Sequence, residues 1–515
     1  MTTHRYLIHA SHSLTAIKQA LAEKFLCRQQ KPHSFTRVHL DTLDWRLYKK
    51  NYHLTFESPR DLHQLKLFSR DSGRLVTFSD YSESKVTAKQ IPYGKLSTLM
   101  IPLLDIRELT EHVKEKVTQH VILVHNKEGK SLASIQIETA RTALSGKSAR
   151  VLKTLRYTPI RGYEKENRRI KKFLQQLPGL SPSLKSELDA LISDFDIDVN
   201  AFNNKPNYIL DAQARADDSA KFILKAFVHN MTLNTPGVSE DVDSECLHDF
   251  RIAVRRTRTL LAQVPGVFPA QRLERAKDYF AELGRVTTPQ RDLDVMLLNF
   301  DDYRALLDYQ MPEEMDRIYV YVEQCRAKAH EDVKKHLKLK RHVSFMQTWQ
   351  TFLESSSPNN TTLANAKREV KAVASERIAK AYKKVLKQGM AITDSSPADD
   401  VHTLRKSGKK LRYLLEFFQS LYSAAQIKQV IKTLKQLQDL LGEYQDLHVH
   451  IEFFTELRSN MEADQVLDDA TAKAIEKINQ VLDQQQIACR KRFAARFKEF
   501  SSKTHRKEFK ALLAS

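Results

Sequence analysis

The spacing of apolar residues divides the chain in two. Up to about residue 165, short runs rich in β-branched and aromatic side chains follow one another: Phe35–Leu40, His53–Phe56, Leu75–Phe78, Val121–Val124 and Ser134–Ile137. Gly73, Gly94 and the Asn126–Gly129 stretch punctuate them. This pattern predicts an antiparallel sheet with one or two helices, the first over Ser13–Cys27. From about residue 166 the apolar period becomes that of a helix and stays so to the end. Breaks fall at Pro178–Pro182, Asn203–Pro206 and Ser355–Thr362. The expected organisation is a smaller α+β domain over 1–165, a helical linker over 166–204 and a helical domain over 205–510. Its halves lie at about 205–350 and 363–510.

The two halves repeat each other. HDFRIAVRRTRTLL runs from His248 to Leu261, and HTLRKSGKKLRYLL from His402 to Leu415. Superposed without a gap, His248 matches His402 and Arg251 matches Arg405. Arg255 and Arg256 match Lys409 and Lys410, and Arg258 matches Arg412. The offset is 402 − 248 = 154, and Asp292 and Asp446 obey it too, since 446 − 292 = 154. A Leu-Gly pair precedes each aspartate, Leu283-Gly284 or Leu441-Gly442, at unequal spacing. That inequality reads as about four extra residues in the first copy.

On a wheel of about 100° per residue, positions three, seven and ten after each histidine stay within about 80° of it. His402, Arg405, Lys406, Lys409, Lys410 and Arg412 therefore share one broad face. Leu404, Leu411, Leu414, Leu415 and Phe418 take the other. In the first copy Phe250, Val254, Leu260 and Leu261 oppose the basic side. Like charges three and four residues apart repel by a few tenths of a kcal/mol per pair. Only Asp249 and Glu416 interrupt the two faces. One basic face is commonly just solvated surface. Two in register imply a bound anion as counter-charge, for which arginine offers a bidentate fork and lysine a point charge.

Composition narrows the partner. The 515 residues carry 83 Lys and Arg against 63 Asp and Glu, a net charge of +20, which draws anions. Glycine numbers only 12, in keeping with long helices. Cys27, Cys246, Cys325 and Cys489 form no CxxC pair, so neither a disulfide framework nor a zinc site is expected. The N-terminus has no apolar run of signal-peptide length. No uncharged stretch nears the roughly 18 residues that span a bilayer. The expected location is the cytoplasm, with no membrane partner.

At the paired His-x-x-Arg-x-x-x-Arg/Lys-Arg/Lys-x-Arg helices and the Leu-Gly…Asp segments, the sequence resembles the CHAD family, the conserved-histidine α-helical domains. LRYLLEFF at Leu411–Phe418 adds to the likeness, which covers about 205–510. The resemblance implies a mainly α fold: a C-terminal helical bundle of two pseudo-symmetric repeats with a basic groove between them. It implies binding of inorganic polyphosphate, with a place at polyphosphate granules. The roles carry to His248, Arg251, Arg255, Arg256, Arg258, His402, Arg405, Lys409, Lys410 and Arg412. Lys406 joins them because it shares the face. Asp292 and Asp446 are left with two readings, positioning basic side chains or capping a helix.

CHAD domains often follow a CYTH domain, the triphosphate-tunnel fold. Residues 1–165 resemble a degenerate one, with HLDTLDWRLYKKNYHLTF (His39–Phe56) as the matching segment. The family's opening Glu-x-Glu-x-Lys, whose acids bind catalytic metal, is missing: the first carboxylate in the chain is Glu23. The expected Arg-x-Arg reads His53-Leu54-Thr55-Phe56, and the acidic last strand reads TLRYTPIRGYEKE. Metal-dependent hydrolysis needs carboxylates to hold the cation. No catalytic residue, metal or cofactor is therefore expected.

Two decoys remain. Gly146-Lys147-Ser148 mimics a phosphate loop, but the required earlier glycine is Arg141. The segment His330–His342 spaces its histidines six apart, which makes no helical metal pair. It reads as a solvated helix end or an extension of the basic surface. Competing functions are RNA or DNA binding, and CYTH-type triphosphatase. Nucleic-acid binders interleave aromatics for stacking. Here only Tyr413, beside Arg412, comes near the basic faces.

Overall fold

The computed structural model describes residues 3–58, 62–83, 86–143, 149–183, 186–202, 208–393 and 395–514. The Gly146-Lys147-Ser148 stretch and the expected break at Asn203–Pro206 lie outside them. The chain forms two compact units, Met1–Asn203 and Asn204–Ser515.

The first unit is α+β. Its strands are β1 (His4–Ile8), β2 (Leu26–Gln29), β3 (His33–Asp41), β4 (Tyr52–Ser58), β5 (His63–Ser69), β6 (Leu75–Tyr81), β7 (Thr110–His125), β8 (Ser131–Thr142), β9 (Arg150–Pro159) and β10 (Leu180–Pro182). They make one antiparallel sheet in the order β10-β1-β9-β8-β7-β3-β4-β5-β6, with β2 also on β7. Its helices are α1 (Leu14–Lys24), α2 (Arg46–Lys49), α3 (Lys95–Leu104), α4 (Glu164–Gln176) and α5 (Glu187–Asp194). Every strand segment expected above falls inside one of these strands. The sheet curls until side chains from distant strands meet: Arg156 of β9 sits 5.4 Å from the ring of Phe68 on β5.

Residues 166–204 are not the linker expected from helical texture. β10 pairs with β1, and Ile170 and Leu174 of α4 pack with Tyr6, Ile8 and Tyr157 of the sheet. Ser186 and Asp189 form a capping box that starts α5 and sets Glu187 in its first turn. The amphipathic period of α4 and α5 reflects packing on a sheet. Periodicity does not name the partner surface.

The second unit is helical: α6 (Ala216–Ser239), α7 (Ser244–Gln263), α8 (Ala270–Leu298), α9 (Phe300–Leu306), α10 (Pro312–Lys338), α11 (Lys340–Glu354), α12 (Val370–Ala391), α13 (Ala398–Phe417), α14 (Ala424–Ala463), α15 (Asp469–Lys491), α16 (Phe493–Phe500) and α17 (Lys503–Ala514). Among the described residues no helix is long and apolar enough to cross a membrane.

The repeat governs this architecture. Helices α6, α7 and α8 begin at 216, 244 and 270, and α12, α13 and α14 at 370, 398 and 424; each pair differs by 154. The two copies meet through a reciprocal backbone pair. The Ala216 N–H donates to the Arg368 carbonyl at 2.9 Å, and the Val370 N–H donates to the Ala214 carbonyl at 2.8 Å. Since 368 − 214 and 370 − 216 are both 154, this is the contact of a pseudo-two-fold axis. It also corrects the expected insertion. Helices α8 and α14 reach Asp292 and Asp446 over equal lengths, so no residues are added. The Leu-Gly pairs are simply one turn out of register.

The apolar face expected of each basic helix is buried, from Phe250, Val254, Leu260 and Leu261 on α7 to Leu404, Leu411, Leu414 and Leu415 on α13. The helices α7 and α13 pack together, α7 against α8 and α13 against α14. The His330–His342 segment differs from its expectation. Lys338, Lys340 and Arg341 are exposed, but His330 is buried within α10, and His336 and His342 are buried at the turn from α10 to α11.

Candidate anion-binding site

Where α7 meets α13, their basic faces line two adjoining cavities. The first, about 500 Å³, lies between α7 and α8 and is reached by Arg405. His248, Arg251, Arg255, Arg258 and Arg291 supply its cationic side. The second, about 420 Å³, lies between α13 and α14. Arg256, Lys409 and Arg412 line it. Ile252, Arg255, Arg405 and Asp446 border both, so the two form one groove across the pseudo-two-fold axis.

Several of the basic side chains are held by protein neighbours. The Arg251 guanidinium donates to the Gly284 carbonyl at 3.0 Å and to the Thr287 and Thr288 hydroxyls at 2.7 and 3.1 Å. Its mate Arg405 pairs instead with Asp446 at 2.8 Å. Arg412 and Arg256 share Glu416, at 2.6 and 3.3 Å, which ties one copy to the other. Arg255 and Arg256 stand 5.8 and 5.9 Å from the ring of Tyr413, which is buried between the helices.

Crowding shifts the charges. Burial, then Arg405 and Arg255, lowers Lys409 to about 8. Burial lowers Arg251 to about 10, against the pull of Asp292. A polyanion entering the groove would restore both protons' advantage.

Of the residues singled out in sequence, His248, Arg251, Arg255, Arg256, Arg258, Arg405, Lys409 and Arg412 come together here. His402, Lys406 and Lys410 line neither cavity. His402 hydrogen-bonds the amide oxygen of Gln445 on α14 at 2.5 Å. Lys406 and Lys410 are exposed on the flank toward Lys384 of α12. The wheel gave a broad face; packing of α14 and α12 cut it to a narrower one. Asp292 and Asp446 lie mid-helix, which removes the capping reading, and both border the groove. Arg291 and His450 were missed. Arg291 precedes Asp292, and His450 follows Asp446 by one turn, so the repeat marker itself pointed to both. Among the described residues, Glu245, His248 and Asp249 bring ligand atoms within 4.8 Å of one another, the one such grouping able to hold a cation.

Comparison with known proteins agrees with this geometry. The CHAD domain family model matches residues 222–455, from α6 into α14. Those residues form a CHAD domain. Similar solved structures include the CHAD domain of the plant Ricinus communis (23% identity, 60% of this chain and 96% of that one, TM-score 0.47). Another is PptA from Streptomyces chartreusis (15% identity, 55% and 100%, TM-score 0.41). A third is HpAC1 from Hippeastrum, described as having a dominant triphosphatase activity (12% identity, 37% and 95%, TM-score 0.27). All three score below 0.5, so the assignment rests on the family match. No curated protein matches the sequence.

Outside the CHAD domain, the concave face of the curled sheet carries a second set of charges. Arg37 on β3 contacts Glu57 and Glu138, each at 2.9 Å, and Glu187 at 3.3 Å. Arg156 holds Glu187 at 2.8 Å, and Lys66 holds Glu57 at 2.6 Å. His39 bonds Glu115 at 2.8 Å and stacks on His53, with 2.7 Å between ring nitrogens. Burial works against ionised Glu187, but Arg156 and Arg37 outweigh it and hold the carboxyl well below its usual range. Burial, then His39, pushes His53 well down. Sequence reasoning missed Arg37, Glu57, Glu115, Glu138, Arg156 and Glu187. The available signal was period-two polarity, as in Arg37, His39 and Asp41, opposite the apolar Val38 and Leu40.

Two outcomes follow. Because an anion favours protonated Lys409, polyanion affinity falls as pH rises past about 8, with proton uptake on binding. In Lys409→Arg this component disappears, as calorimetry in buffers of differing ionisation heat will show. A pH profile shared by both proteins would mean that Lys409 does not face the ligand. Arg37→Met strands buried carboxylates and costs about 3–5 kcal/mol of the first unit's stability. Glu57 and Glu187 are depressed in the fold, so their ion pairs stabilise above the unfolded carboxylate range and are lost as pH falls. The deficit in urea melts should therefore shrink below about pH 4.

Proposed function

We propose that the CHAD domain binds inorganic polyphosphate along the groove between α7 and α13, and so associates with polyphosphate granules. One observation carries the reading. The two matched basic helices pack side by side and share a single groove with Arg255 and Arg405 at its centre. A chain of repeating anionic units suits a surface that repeats by two-fold symmetry. The groove offers forks for phosphate oxygens and little stacking surface: Tyr413 is buried, and Phe453 on α14 is its other aromatic lining residue. Bases would find few platforms there.

The first unit, in this reading, does not hydrolyse triphosphate. Glu57, Glu115, Glu138 and Glu187 already face protein cations, and β1 contributes Arg5 where the CYTH resemblance calls for acids. The unit then serves as a scaffold or an interaction module.

Titration with long-chain polyphosphate at near-physiological salt tests the groove, with RNA and tripolyphosphate as competitors. The variant carrying Arg251→Glu, Arg255→Glu, Arg405→Glu and Lys409→Glu should keep its helicity and lose at least about a hundredfold in affinity. Undiminished binding would move the site elsewhere, and displacement by RNA would favour nucleic acid. Phosphate release from tripolyphosphate with Mg²⁺ or Mn²⁺ should stay at background. Turnover that Glu57→Gln abolishes would overturn the scaffold reading.

A further inference from the structure

Lys409 stands apart from the other cations of the groove. It lies on α13 four residues after Arg405 and three before Arg412, and all three line the cavity of about 420 Å³. Arg405 is paired with Asp446, and Arg412 with Glu416. Lys409 has no such partner: among the described residues its ammonium makes no hydrogen bond and no ion pair. Arg255 reaches the same cavity from α7 and, among the described residues, is in no ion pair either.

The two kinds of cation differ in chemistry. A guanidinium stays charged, and its fork matches phosphate oxygens. With five N–H donors, Arg405 and Arg412 keep some beyond those given to their carboxylates. A lysine amine becomes a nucleophile when it is drawn out of water beside other cations. Lys409 meets both conditions. Burial, then Arg405 and Arg255, lowers it to about 8. A sizeable share is then free amine near neutral pH, against almost none for an ordinary lysine. Lys406, three residues earlier on the same helix, is exposed to solvent instead.

We propose that Lys409 is a site of acylation by small acyl phosphates. The phosphate group binds Arg255, Arg405 and Arg412, which sets the acyl carbon, one oxygen away, beside the Lys409 amine. The amine attacks that carbon and a C–N bond forms. The C–O bond to phosphate breaks, its electrons leave with the phosphate, and the amine proton ends on the released phosphate. The product is a neutral amide, one cation fewer in the groove. An inorganic phosphate chain has no acyl carbon. It occupies the same guanidiniums and keeps Lys409 protonated, so it excludes the reaction. The inference rests on the same groove accepting phosphate, and not on polyphosphate being its resident ligand.

Incubating the full chain with acetyl phosphate, and following each lysine by peptide mass spectrometry, tests this. Lys409 should be acetylated at least about tenfold faster than the exposed Lys406 and Lys387. Its rate should saturate in acetyl phosphate and fall when orthophosphate is added. Acetic anhydride, which carries no phosphate, should show a smaller preference. Arg255→Gln/Arg412→Gln should bring Lys409 down to the rate of Lys406. Acetylation should weaken long-chain polyphosphate about tenfold more in wild type than in Lys409→Arg. Fast acetylation of Lys409 in a protein that binds no polyphosphate would retain this proposal and remove the polyphosphate reading. The proposal is overturned if Lys409 reacts no faster than Lys406, or if orthophosphate leaves its rate unchanged. An equal preference with acetic anhydride overturns it too.

Discussion

Everything in the second unit turns on holding two cationic helices against each other. In water α7 and α13 would separate, since their facing side chains carry the same sign. The fold prevents this by burying the opposite face of each helix and by pairing the two copies through backbone at Ala214–Ala216 and Arg368–Val370. Apolar burial contributes energy in proportion to area. Repulsion among partly solvated charges is smaller and screened. Packing therefore wins, and the cost stays stored in the groove. Lys409 is lowered to about 8 by burial first and by the neighbouring Arg405 and Arg255 second.

The copies are symmetric in backbone and asymmetric in side-chain detail. Arg251 is held by a carbonyl and two hydroxyls, whereas Arg405 is held by a carboxylate. His248 borders the groove, whereas His402 is turned into a bond with Gln445. The residue matched to Gln445 is Arg291, which cannot accept a hydrogen bond. The difference at this one matched position, Gln445 on α14 against Arg291 on α8, goes with a histidine that bonds α14 in one copy and lines the cavity in the other.

The first unit handles charge the opposite way. Arg37, Arg156 and Lys66 find carboxylates from other strands and from α5, and the concave face is neutralised from within. Pairing is what makes such burial tolerable. In the groove between α7 and α13 fewer carboxylates are at hand: Asp446 pairs with Arg405, and Glu416 serves both Arg256 and Arg412.

Sequence alone determined the architecture and the motif. Local alternation named the strands, and 3.6-residue periodicity named the helices. A 154-residue offset named the repeat and eight of the groove's cationic side chains. These signals are local, or comparisons of one segment with another. Tertiary structure alone decided what each face meets. It drew α4, β10 and α5 onto the sheet and turned His402, Lys406 and Lys410 away from the groove. It added Arg291 and His450, and it assembled Arg37, Glu57, Glu115, Glu138, Arg156 and Glu187 from strands far apart in the chain. The physical reason is that periodicity gives a side chain's direction from its own helix or strand, while burial and ion pairing depend on the neighbour that packing places there.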